Sequence, residues 1–136
     1  MIRSYMWSAL FIFCSLVQAS TPSYSFYGRH FIASYKECDP QALQNVSFLK
    51  AIFEKAVQSS GATILKHDWM EFSGNGLTGV FLLSESHASI HTYPEHNACF
   101  VDLFTCGYAC SYEPFDRILS SYLKPKKVDK QLCTRS

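Results

Sequence analysis

Apolar residues recur along this chain with two different periods, and the change of period marks out its elements. The run RHFIASY, residues 29–35, is rich in β-prone residues and reads as a strand. The period then lengthens: Leu43, Val46, Leu49, Phe53 and Ala56 or Val57 fall three or four residues apart, building one apolar stripe along a helix. Asp39 is placed to cap that helix, with Pro40 at its first position, where a missing N–H costs nothing. Gly61 offers the left-handed conformation that stops it. Residues 62–69, 77–84, 89–93 and 98–105 are short apolar segments broken by Gly, Asn and Pro, which is the pattern of successive strands. Phe115, Ile118, Leu119 and Tyr122 restore the helical period across residues 113–123, and Pro125 ends it. The closing segment KKVDKQLCTRS is short and less apolar than a final strand should be. Helices gathered on one face of a mainly antiparallel sheet make an α+β fold, a two-layer α/β sandwich.

Composition narrows this to one domain. The 136 residues, 48% hydrophobic and 15% aromatic, supply one core and too little length for two. A net charge of +1 gives no footprint for nucleic acid, and the cluster Lys124, Lys126, Lys127 reads as a solvated face. The first residues stand apart: Arg3, an apolar run over residues 9–17 and the small-residue context Val17-Gln18-Ala19 read as a signal peptide over residues 1–19. The folded domain then spans residues 26–136. Removing the leader also removes Cys14 and leaves Cys38, Cys99, Cys106, Cys110 and Cys133, an odd number, so at least one thiol stays free or pairs outside the chain.

Chemistry concentrates in residues 83–107, LSESHASIHTYPEHNACFVDLFTCG, and three readings compete for it. In the plainest, a hydroxyl- and His-rich strand alternates, with Ser84, Ser86, Ala88 and Ile90 on one face and Glu85, His87, Ser89 and His91 on the other. A second is a metal site, since His87, His91, His96, Cys99, Cys106 and Cys110 are donors that zinc favours. Spacing argues against it, for there is no C-x-x-C, and H-x3-H on a strand does not bring two imidazoles together. The third begins with a serine at a strained turn. Its Oγ attacks the preceding carbonyl and turns the Glu85–Ser86 peptide into an ester. Loss of the Ser86 α-proton then expels the Glu85 carboxylate and leaves a dehydroalanine that becomes a pyruvoyl group.

At these residues the chain resembles the prokaryotic S-adenosylmethionine decarboxylase proenzymes. The likeness lies in SESHASIHTYPE and DLFTCG, with GRHFIASYKECD, SGATIL and the G-x-x-x-L-T-G-V approach upstream, and covers roughly residues 27–128. It implies cleavage between Glu85 and Ser86, giving a β chain that ends at Glu85 and an α chain that starts at Ser86. Ser86 becomes the pyruvoyl cofactor, which holds the substrate amine as a Schiff base with no metal. By the same resemblance His91 accepts a proton in processing, Cys106 donates one in the decarboxylation, and Thr78 is a processing hydroxyl. Imidazole titrates near neutrality and suits α-proton removal, and a protonated thiol suits return of a proton to a carbanion.

Phe72, Tyr93 and Glu95 match the substrate-binding positions of the family. An aromatic face suits adenine and the sulfonium cation, and a carboxylate suits the two ribose hydroxyls. The product implied is the aminopropyl donor for spermidine. Relatives with this fold that act on arginine or ornithine should lack the ring and the ribose carboxylate, whereas an exported binding domain would keep the motif uncut. Tyr93 replaces the Trp of many relatives and Thr78 a frequent Ser, while Cys99 and Cys110 are additions. Were the chain exported to an oxidising compartment, Cys106 and Cys110 could pair, which would remove the acid, whereas the family is ordinarily cytoplasmic. The family also implies a dimer of processed protomers, α2β2, or a higher assembly built from it, with the pocket near the interface.

Overall fold

The computed structural model describes residues 24–136, so the signal-like segment lies outside the described residues. Six strands form one fully antiparallel sheet: β1 (Tyr24–Lys36), β2 (Ile64–Glu71), β3 (Leu77–Leu83), β4 (Ser86–Tyr93), β5 (Ala98–Gly107) and β6 (Lys127–Arg135). Their spatial order is β2-β3-β4-β5-β1-β6. Helices α1 (Pro40–Gln44), α2 (Val46–Ser59) and α3 (Tyr112–Leu123) pack on one face, as the hydrophobic patterning predicts.

The expected single first helix is two. Asn45, with φ −82° and ψ 72°, interrupts it, and its side chain accepts a hydrogen bond from the Phe48 N–H to begin α2. Asp39 caps α1 through the Gln41 N–H, with Pro40 following as expected. Periodicity did not reveal the break because Leu43 and Leu49 are buried on either side of it. Gly61 takes φ 86° after α2, and Lys124 takes a left-handed cap one residue before Pro125.

The closing segment forms a full strand. Residues of β6 are exposed throughout, yet they pair with β1 from Lys36↔Lys127 to Gly28↔Arg135. An edge strand outside the helical layer buries little on either face, so it carries charge instead of an apolar pattern. The strand beginning at Ile64 likewise lies at an edge, which explains its mostly polar surface.

The core fills the space between sheet and helices. Phe31, Tyr35, Phe53, Phe81, Phe115 and Leu119 are fully buried there. Tyr35 reaches across to donate a 2.7 Å hydrogen bond to Asp116, and burial pushes its hydroxyl pKa up. Phe53 lies at the centre, edge-on to Trp69, Phe81 and Phe115 at ring-centroid distances of 5.2–6.1 Å. Phe53→Ala should therefore cost about 3–5 kcal/mol, to be read as a fall in the urea unfolding midpoint with an unchanged slope.

The opposite face of the sheet is bare. Ile32, Met70, Val80, Leu82 and Phe100 are exposed on it, and Val80 and Leu82 are each more than half accessible. Exposed apolar residues gathered on one face are common at association surfaces.

Candidate active site

The reactive stretch occupies the β3–β4 hairpin and the end of β5. Ser84 and Glu85 form its two-residue turn, between the paired residues Leu83 and Ser86. Ser86 has φ 154°, a conformation that side-chain-bearing residues rarely adopt and that costs on the order of 1–3 kcal/mol. The strained serine therefore stands at the start of β4. Its Oγ lies 3.5 Å from His87 Nδ1, and the peptide carbonyl just before it, that of Glu85, accepts a 2.9 Å hydrogen bond from the Cys106 N–H.

Cys106 is half-buried on the bare face. Its Sγ stands 3.2 Å from where a Cβ on Gly28 would lie, and the Phe104 ring fills the same space at 2.3 Å. Only glycine at position 28 leaves room for both side chains. Gly107 does the same on the helix side, where a Cβ would meet Cys110 Sγ at 2.7 Å and Glu85 Cγ at 2.8 Å. Cys110 and Cys106 thus point to opposite faces of the sheet, and a disulfide between them would require the backbone to move. Burial, then the Glu85 carboxylate, pushes the Cys110 thiol pKa up. The five cysteines among the described residues are all unbridged.

The strand alternation expected from the sequence holds from Ser86 onward, with Ala88 and Ile90 in the core and His87, Ser89 and His91 on the bare face. Glu85 departs from it. Its carboxylate turns toward the helical layer and accepts a 2.8 Å hydrogen bond from the Thr63 N–H. A turn residue is not bound by the period of a strand, so no sequence pattern could have placed it.

A second group forms at the other end of the hairpin. Thr78 and His91 are directly opposite each other on β3 and β4, and Thr78 Oγ1 shares a 3.0 Å hydrogen bond with His91 Nδ1. Phe72, Thr78, His91, Tyr93 and Glu95 together line one cavity of about 270 Å³. Single helical turns at Ser73–Asn75 and Pro94–His96 carry its rim. The Phe72 ring is more than half exposed, so it is available as a stacking surface instead of being spent on the core.

The eight residues singled out in the sequence therefore fall into two clusters. Glu85, Ser86 and Cys106 sit at the turn end, and the other five at the far end. Ser86 and His91 are five residues apart on one extended strand, about 16 Å at roughly 3.3 Å per residue. No side-chain rotation closes that gap. Among the described residues, no three His, Cys, Asp or Glu side chains converge as a metal site.

The bare face also carries a polar network that the sequence reading missed. His30 Nε2 lies 3.2 Å from Asp102 Oδ1, and Ser89 donates a 3.0 Å hydrogen bond to Asp102 Oδ2. The rings of His30 and His87 are edge-on at 6.1 Å, and burial is the main cause of a lowered His87 pKa. Three strands contribute to this network, so no local spacing signals it.

A model of the S-adenosylmethionine decarboxylase family matches residues 29–136 of the chain. The S-adenosylmethionine decarboxylase proenzyme of Symbiobacterium thermophilum is 44% identical over 96 residues, covering 66% of this chain and 73% of that protein. The proenzyme of the same name from Methanococcus aeolicus is 41% identical over 102 residues, covering 75% and 87%. Among solved structures, the adenosylmethionine decarboxylase of Aquifex aeolicus VF5 superposes with a TM-score of 0.70 at 36% identity, over 78% of this chain and 88% of that one.

Proposed function

Since this chain belongs to the S-adenosylmethionine decarboxylase family, we propose that it is a self-processing decarboxylase of S-adenosylmethionine whose cofactor is made from its own Ser86. The observation that carries this reading is the strained Ser86, with φ 154°, directly after a carbonyl held on a backbone N–H. Those are the requirements of an intramolecular attack. Ser86 Oγ adds to the Glu85 carbonyl carbon, and the oxygen gathers negative charge against the Cys106 N–H, a preorganised donor of the oxyanion-hole kind. The bond to the Ser86 nitrogen breaks, that nitrogen takes up a proton, and an ester remains. Attack also releases the backbone strain.

A base then removes the Ser86 α-proton, the Cβ–Oγ bond breaks, and Glu85 leaves as a new carboxyl terminus. Tautomerisation and hydrolysis of the resulting dehydroalanine release ammonia and leave a pyruvoyl group. The base in this reading is His91. In the tautomer whose Nδ1–H donates to Thr78, Nε2 carries the lone pair that accepts a proton.

The residues present fit a pyruvoyl group, for position 86 directly follows the carbonyl held on the Cys106 N–H, at the strand end where the half-buried Cys106 lies. Once formed from Ser86, such a carbonyl would supply an electron sink for the loss of CO2 from the substrate. Cys106 returns a proton to the α-carbon. In the cavity, Phe72 stacks on the adenine, Glu95 accepts hydrogen bonds from the ribose hydroxyls, and Tyr93 lines the wall. Having a ring and a carboxylate face one cavity favours a nucleoside substrate over arginine or ornithine.

In this reading one chain does not hold a whole site, because Ser86 and His91 lie about 16 Å apart along one strand. We assign the bare face to a second copy. A two-fold axis between two such faces, crossing β4 near Ser89, sets the Ser86 end of one strand over the His91 end of the other. Packed sheets lie about 10 Å apart, a gap that imidazole and substrate fill. Processing of both copies gives α2β2.

Mass spectrometry of the purified protein tests the reading. The expected spectrum has two polypeptides, one ending at Glu85 and one beginning with pyruvoyl in place of Ser86. Carboxyl-labelled S-adenosylmethionine should release labelled CO2, and arginine and ornithine should not. One intact chain with an ordinary serine at 86 would overturn it.

A further inference from the structure

The part of Glu85 that has no place in the chemistry above is its side chain, and that side chain is held from three sides. Oε2 accepts the Thr63 N–H at 2.8 Å, while Thr63 in turn accepts the Ser84 N–H at 2.9 Å through its own carbonyl. Both residues of the hairpin turn are therefore tied to one residue of the segment between α2 and β2. Glu85 Cγ fills the space that Gly107 leaves by having no Cβ. Beyond the carboxylate lies Cys110, whose carbonyl accepts from the Arg29 guanidinium.

The anchor is itself fixed. Two residues before Thr63, Gly61 packs against the Ala109 carbonyl, which would stand 3.0 Å from a Cβ there. One further back, the Ser60 carbonyl accepts the Ser111 N–H at 2.8 Å, just ahead of α3. Thr63 is thus part of a seam joining the end of α2 to the turn before α3.

We infer that the Glu85 carboxylate is a positioning residue for self-cleavage, docking the turn on Thr63 so that the Glu85 carbonyl stays on the Cys106 N–H and Ser86 stays in its strained conformation. This rests on the self-processing reading above. The carboxylate does not touch the reacting atoms. It acts through the carbonyl three bonds from its own Cβ branch, because a turn of two residues anchored at both ends has no freedom left to relax the next φ. Without the anchor, rotation at Glu85 and Ser86 restores an ordinary extended backbone and takes the carbonyl off its donor. The acceptor oxygen is what matters here, since the partner is a neutral backbone N–H.

The full-length chain, made by cell-free translation and sampled over time, reports the rate at which precursor becomes two polypeptides. Glu85→Ala should convert at least tenfold more slowly than the unaltered chain. Glu85→Gln keeps an oxygen at the same reach for the Thr63 N–H and should recover most of the rate. Glu85→Asp keeps the charge but not the reach and should stay slow, and this contrast stands even if the alanine variant folds poorly. Equal rates for Glu85→Ala and the unaltered chain would overturn the inference, as would a Gln variant slower than the Asp variant. An unaltered chain that never cleaves would overturn the self-processing reading together with it, whereas cleavage that ignores residue 85 would sink this inference alone.

Discussion

Ser86→Ala should yield one uncut polypeptide with no decarboxylase activity. Alanine has no nucleophile to add to the Glu85 carbonyl, so neither ester nor carbonyl cofactor forms, and the loss should extend to the limit of detection. Folding should survive the change. The serine is half-buried at the start of β4, and its side-chain contact to His87, at 3.5 Å, is at the margin of a hydrogen bond. A substitution that loses so little should move stability by about 0.5 kcal/mol or less. Gel electrophoresis, mass spectrometry and a thermal melt on the same preparation separate failed chemistry from failed folding. Cleavage persisting in this variant would place the nucleophile elsewhere.

Complementation between two inactive chains should restore what neither has alone. His91→Ala keeps Ser86 but lacks the base, and Ser86→Ala keeps the base but has nothing to cleave. In the proposed dimer, where the turn cluster of one copy is completed by the His91 and Thr78 of the other, a mixed pair holds one whole site and one doubly damaged site. Random pairing of equal amounts puts roughly half of the His91→Ala chains in mixed dimers, so about half of them should be cut on co-expression. Expressed alone, that variant should remain whole or stop at the ester. Failure to cleave on co-expression, with mixed dimers demonstrated by differently tagged copies, would return the site to a single chain and require β4 to bend far from its present course. Processing of His91→Ala by itself at the ordinary rate would show that a different group takes the proton.

Much of this molecule can be read along the chain because its elements bury one face each. The stripe from Leu43 to Val57 and the one from Phe115 to Tyr122 had to cover an apolar sheet, and they do. The residues of the proposed self-cleavage stand out along the chain for another reason: a reaction confined to one peptide bond needs its serine, its preceding carbonyl and its strained turn within three consecutive residues. Where the sequence misled, burial was not what set the structure. The strand β6 is held by backbone pairing at an edge and shows no apolar period. Asn45 breaks a helix whose stripe continues across the break. Cys106 and Cys110, close in sequence, are separated by the thickness of the sheet.

Linear order therefore determined the layers and the residues that the proposed self-cleavage uses, since these depend on local periodicity and on neighbours in the chain. Tertiary structure alone decided their grouping. It set Phe72 and Glu95 in one cavity with His91, put Ser86 about 16 Å from His91 along β4, and turned the Glu85 carboxylate toward Thr63. Extended backbone is the physical reason, because residues close in sequence on a strand are carried apart at full stretch, while antiparallel pairing brings distant ones side by side.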